Sequence, residues 1–181
     1  TVVIQDLLDS AELSVHSAVQ RMHLIARSML EDAVLALRDH DLDLAMDVVT
    51  RDDDVDRLWY VVSRIFRGTL RSPEMASEIG ITRENCFDYH SSARQLERVA
   101  DHAAKISQVT REMDEPVPEE VGESLEALRE DATDIIETAF EALFADDSEE
   151  ATRLANEARA KVAEIDDQAR AIDDQLRELH P

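Results

Sequence analysis

Apolar residues recur along most of this chain at alternating steps of three and four, the rhythm that lays one stripe down an α-helix. The stripe Val15, Val19, Met22, Ala26, Met29, Ala33 and Ala36 predicts a first helix from about Ser10 or Ser14 to Arg38. Asp39-His40-Asp41 reads as a tight turn, with Asp41 suited to cap the next helix. That second helix carries Ala45, Val48, Asp52, Val55, Trp59, Val62 and Phe66 in one seam and runs to about Leu70. Arg71 to Ile81, with Pro73 and Gly80, reads as a loop with room for a short helical turn. Thr82 caps a third helix reaching about Met113, with Leu96, Val99, Ala103 and Ile106 on its apolar face. The linker Asp114-Glu115-Pro116-Val117-Pro118 leads to a fourth helix with Val121, Leu125, Leu128, Ala132, Ile135 and Ala139 in its seam. A fifth, after Ala145-Asp146-Asp147-Ser148, carries Ala151, Leu154, Ala158, Val162, Ile165, Ala169, Ile172 and Leu176.

Five long helices with short connections predict an all-α, antiparallel helical bundle. A weak repeat divides it. Ala36-Leu37, an acidic turn, then Ala45 and Val48 match Ala142-Leu143, an acidic turn, then Ala151 and Leu154, at an offset of 106 residues. The expected units are residues 1–115, three helices, and residues 116–181, a two-helix hairpin that reads as a degenerate second repeat. Two helices leave an apolar stripe partly uncovered. The hairpin is therefore expected to pack on the first unit, on a second copy of the chain, or on sequence upstream. The abrupt start at Thr1 is compatible with a further domain upstream.

Charge narrows the function classes. There are 42 acidic residues against 19 basic ones, a formal net charge of -23. With no evident basic patch to release counterions from phosphates, nucleic-acid binding by this stretch is not expected. Docking on an anionic membrane is equally disfavoured, and no apolar run is long enough to insert. The basic residues are 17 Arg and only two Lys, Lys105 and Lys161. Abundant carboxylates with scarce lysine read as adaptation to a salt-rich cytoplasm, where ionic strength screens self-repulsion. The single cysteine, Cys86, excludes an internal disulfide and fits a cytoplasmic protein.

Two acidic pairs interrupt this background: Asp52 with Asp56, and Glu97 with Asp101, each spaced i, i+4 on one helix face. Asp52 also occupies a seam position where an apolar residue belongs. A carboxylate there is costly unless a cation or hydrogen bonds satisfy it. Neighbouring helices can bring four such carboxylates together, a donor set suited to hard or borderline cations. By spacing alone the pairs are equally compatible with solvated faces in a carboxylate-rich chain.

The residues around the pairs add a resemblance. Val48-Val49-Thr50-Arg51-Asp52-Asp53-Asp54-Val55-Asp56 and Leu96-Glu97-Arg98-Val99-Ala100-Asp101-His102-Ala103 resemble the two helix motifs of the PhoU family of phosphate-uptake regulators. The resemblance covers about Leu13 to Met113, and only the hairpin pattern persists beyond Pro118. It implies a PhoU-like three-helix bundle followed by a partial second repeat. It further implies metal ligation by Asp52, Asp56, Glu97 and Asp101, of one or more divalent or trivalent ions such as iron or zinc. The second half lacks both motifs, so one cluster per chain is expected. The implied role is non-enzymatic control of phosphate uptake and homeostasis through contact with a phosphate transporter or its sensor kinase, by a homodimer in the cytoplasm. The acidic, arginine-rich style and Phe87-Asp88-Tyr89 resemble archaeal, halophilic members, some of which carry an AbrB-type DNA-binding domain on the N-terminal side. The alternatives are a metal-free oligomerisation domain and a carboxylate-bridged metal enzyme.

The other candidates read mainly as structure. His102 points away from Asp101, His90 shares a face with Glu97, and His16 and His23 lie two turns apart on the first helix. No E-x-x-H pair, phosphate loop, H-E-x-x-H or G-x-S-x-G is present. Cys86 reads as an inert thiol, and Met22, Met29 and Met46 as core filler.

Overall fold

The computed structural model describes the backbone of residues 2–179, and side chains except those of residues 2–14, 73, 78 and 179. These residues form six helices and no strand: α1 (Val2–Asp39), α2 (Leu42–Arg71), α3 (Pro73–Ile79), α4 (Arg83–Glu112), α5 (Glu119–Phe144) and α6 (Ser148–Leu179). The fold is all-α, a helical bundle, as the periodicity predicts. The short α3 is the helical turn for which the 71–81 segment has room.

Local chemistry sets the breaks. Asp41 caps α2 by accepting the backbone N–H groups of Asp43 and Leu44 at 3.1 and 3.0 Å. Ser72 ends α2 through its N–H to the Gly68 carbonyl and starts α3 by accepting the Met75 N–H on its hydroxyl. Gly80 closes α3 at φ 77°, where the lack of a Cβ removes the steric penalty. Thr82 then caps α4 through the Asn85 N–H at 3.0 Å. A side-chain cap contributes about 1 kcal/mol. His40 adopts the left-handed conformation at φ 52° without being glycine. Its Nε2 donates to the Met113 carbonyl at 3.1 Å, which ties the α1–α2 turn to the end of α4.

The helices α1, α2 and α4 form a bundle in which each packs broadly on the other two. All seven residues of the predicted α1 seam are buried. Met22, Met29, Val48, Val55 and Val62 fill the centre, while Ala26, Ala33, Ala93, Ala100 and Ala103 let the backbones approach. Each fully buried Val or Met stabilises by roughly 1.5–3 kcal/mol. On α4 the inward face is turned from the predicted one. Ala93, Leu96, Ala100, Ala103, Ser107 and Thr110 are buried, while Val99 and Ile106 are half-buried. A helix wedged against two neighbours buries its small residues at the line of closest approach.

The hairpin attaches through α5, which packs on α1 and carries α6 on its other side. Phe140 stacks on His23 at 3.9 Å between ring centroids, and Phe144 meets His16 edge-on at 4.6 Å. Gly122 allows the close approach, since a Cβ there would lie 2.8 Å from Arg38 Cγ. The α6 seam also differs from expectation. Leu154, Ala158 and Ile172 are buried and Ile165 half-buried, but Val162, Ala169 and Leu176 are exposed. Lys161 and Gln168 take the inward positions instead, bonding Asp134 and Asp131 of α5.

Candidate metal centre

Asp52 and Asp56 sit mid-way along α2, and Glu97 and Asp101 on the facing helix α4. Their neighbours in sequence fix them there. Val48 and Val55, at i−4 and i+3 from Asp52, are fully buried. Ala93, Leu96 and Ala100 do the same for the α4 pair. Core packing on both helices therefore holds the carboxylates at the rim of the α2–α4 interface, and all four residues are half-buried.

The four carboxylates act on one another electrostatically. Burial pushes the Asp52 carboxyl above its ordinary value, and the charges of Asp56, then Asp101, then Glu97, push it further, with Asp53 adding least. The seam slot thus places one acid in the field of the other three. Two internal cations offset part of that field. Glu97 Oε1 accepts from Arg94 at 2.6 Å, and Asp101 Oδ2 accepts from Lys105 at 2.6 Å. The Lys105 hydrogen bond holds the Asp101 carboxyl below its ordinary value. Among the described residues no three His, Cys, Asp or Glu side chains converge on one point at ligating distance. As a donor set, four oxygen-bearing carboxylates with one already strained by like charge fit a hard or borderline cation.

The histidines lie elsewhere. His90 stacks on Phe66 at 4.2 Å and tilts against Trp59 at 4.8 Å. Burial, then Arg67, lowers its pKa. His102 is exposed, and His16 and His23 belong to the α1–α5 contact. Arg94 is the participant that the motif reading overlooked. Besides its bond to Glu97, it lies over the Trp59 ring at 5.7 Å. Its position three residues before Glu97 is a helical ion-pair spacing visible in the sequence. Cys86 is buried in a second apolar cluster with Val15, Ile65, Ile79 and Ile81.

Comparison with curated proteins and with solved structures returned no match. The PhoU domain family model matches residues 19–110, just over half of the chain and the stretch that holds α2, nearly all of α4 and all four carboxylates. The chain belongs to the PhoU domain family.

Proposed function

We propose that this chain is a metal-binding regulator of phosphate uptake, acting through protein contacts on a phosphate transporter or its sensor kinase. Membership of the PhoU domain family supports a role in phosphate homeostasis. The observation that carries the metal reading is the mutual field at Asp52, which Asp56, Asp101 and Glu97 all raise across the α2–α4 interface. Such a cluster is relieved by a cation. Asp52, Asp56, Glu97 and Asp101 would hold one or more divalent or trivalent ions, iron or zinc among them. A bound ion would supply positive charge to a strongly anionic surface. For Glu97 and Asp101 to ligate, Arg94 and Lys105 must swing aside, and both cations are exposed and on the same helix as their partners.

The module acts without catalysis in this reading, in the cytoplasm and as a homodimer, and its acidic, arginine-rich surface suits high salt. The competing reading is a metal-free oligomerisation domain, and the closed Glu97–Arg94 and Asp101–Lys105 pairs favour it. Elemental analysis of protein purified without chelator separates the two. Stoichiometric iron, zinc or manganese that is lost in Asp52→Ala/Glu97→Ala is the expected result. A metal-free protein whose melting temperature ignores added metal would overturn the proposal.

A further inference from the structure

Eleven of the 19 basic residues pair with the chain's own carboxylates among the described residues, and three of the others stand together. Arg64, Arg67 and Arg71 are exposed on α2 and make no ion pair among the described residues. With Tyr60 they recur at steps of four, three and four, so all four project within an arc of about 60°. The stretch from Arg57 to Pro73 holds four arginines and no acidic residue, in a chain with 42 acids. The three arginines line a surface groove of about 640 Å³ together with Trp59, Tyr60 and Met75. Tyr60 is 68% exposed and Leu70, beside Arg71, 58% exposed. Arginine, tyrosine and tryptophan around an apolar floor are the residue types that anchor protein interfaces. The whole-chain charge conceals this local cationic face.

The complementary surface lies in the hairpin. Residues 119–179 carry 20 acidic and six basic residues, which is most of the net charge of the chain. On α5, Glu119, Glu123, Glu130 and Glu141 are exposed and fall on one side of the helix. Glu123 and Glu141 make no ion pair among the described residues. Beside them, α6 packs substantially on α5 alone among the described residues and exposes Val162 and Leu176.

We propose that the arginine face of α2 docks on the acidic face of α5 in a second copy of the chain, the contact being made twice about a two-fold axis. Such a contact between two different patches closes as a dimer when one two-fold axis relates both copies of it, so that each arginine face meets the acidic face of the other copy. Planar guanidinium groups match carboxylates bidentately, and Tyr60 and Leu70 supply the apolar area that outlasts salt screening. The proposal rests on the homodimer of the preceding reading and not on its metal site.

Charge reversal on the full chain tests it, with solution mass measured by light scattering and the sole tryptophan, Trp59, reporting locally by fluorescence. The wild-type chain is expected to dimerise, and to dimerise less as salt is raised. Arg64→Glu/Arg67→Glu and, separately, Glu123→Arg/Glu130→Arg are each expected to weaken self-association about tenfold or more while retaining helical circular dichroism. Mixing the two variants is expected to restore a dimer, now obligately mixed, since one contact is reversed on both sides, the other is native, and both are complementary. A monomeric wild type overturns both the dimer and this interface. A dimer indifferent to the reversals, or variants that fail to pair when mixed, overturns the interface alone. A wild-type chain that stays monomeric while tripolyphosphate shifts Trp59 fluorescence would assign the arginine face to a small anion instead.

Discussion

At the scale of single residues, the surroundings decide reactivity more than residue type does. Cys86 starts a helix, a position that can activate a thiol, yet it is 1% exposed. Burial pushes its pKa up, against a smaller opposing effect of the Thr69 hydroxyl 3.7 Å away. Alkylation by iodoacetamide is therefore expected to be at least about tenfold slower in the native chain than in the unfolded one. A native rate equal to the unfolded rate would show an open thiol. Asp52 makes the opposite case, a charged side chain held where charge is penalised. In chelator-treated protein, Asp52→Asn is expected to raise the melting temperature, because it removes one of four mutually repelling carboxylates. A fall would mean that Asp52 is stabilised in the fold without metal.

At the scale of elements, the α1–α5 contact governs the hairpin. His23 is 8% exposed and its Nε2 has no hydrogen-bond partner among the described residues. Burial, the largest influence, lowers its pKa against the opposing charge of Glu137, with Arg27 lowering it slightly more. A histidine whose folded pKa lies below its unfolded value near 6.5 takes up its proton more readily when unfolded. Its neutral state stabilises the fold above that value, and stability is lost as the pH falls below it towards the folded pKa. Thermal melts between pH 7.5 and about 5 should show this loss, and His23→Leu should reduce it. Phe140→Ala is expected to cost roughly 2 kcal/mol, below the range for a fully buried phenylalanine because Phe140 is half-buried. Chemical denaturation checks that value, and a double-mutant cycle with His23 should show coupling.

Legibility at this scale depended on how many neighbours a helix has. The α1 seam was readable in full because α1 packs on α2, α4 and α5 and each residue of the seam is buried. In α6 the apolar residues form two adjacent stripes, and among the described residues a single neighbour, α5, covers only one of them. Hydrogen bonds from Lys161 and Gln168 to α5 decided which stripe faces in, and seam counting ignores such bonds. The carboxylate pairs were visible within each helix by spacing and motif. Their mutual field across α2 and α4, and the part played by Arg94, required the packed structure.

For the whole molecule, a net charge of -23 acts as a distributed load. Salt bridges such as Arg51–Asp32 at 2.5 Å and Arg153–Glu157 at 3.0 Å offset it only locally, and exposed pairs contribute little each. Added sodium chloride is therefore expected to raise the melting temperature progressively, as screening shortens the range of repulsion. A melting temperature that falls with salt would show that attractive pairs dominate instead. The arginine face escaped a reading by totals, since three cations vanish in a sum of this size although they stand together on one helix.

The placement of α1 also bears on the order of events during synthesis. Helix α1 is made before the helices it packs against, and its contact with α5 awaits residues that leave the ribosome much later. At translation rates of 5–20 residues per second, completing α5 after α4 takes roughly 2–6 s. During that interval α1, α2 and α4 can already close on one another, while His23 and the side of His16 turned away from Tyr89 stand bare. Histidines there, rather than larger aliphatic side chains, keep the waiting surface partly wettable until Phe140 and Phe144 arrive to cover it.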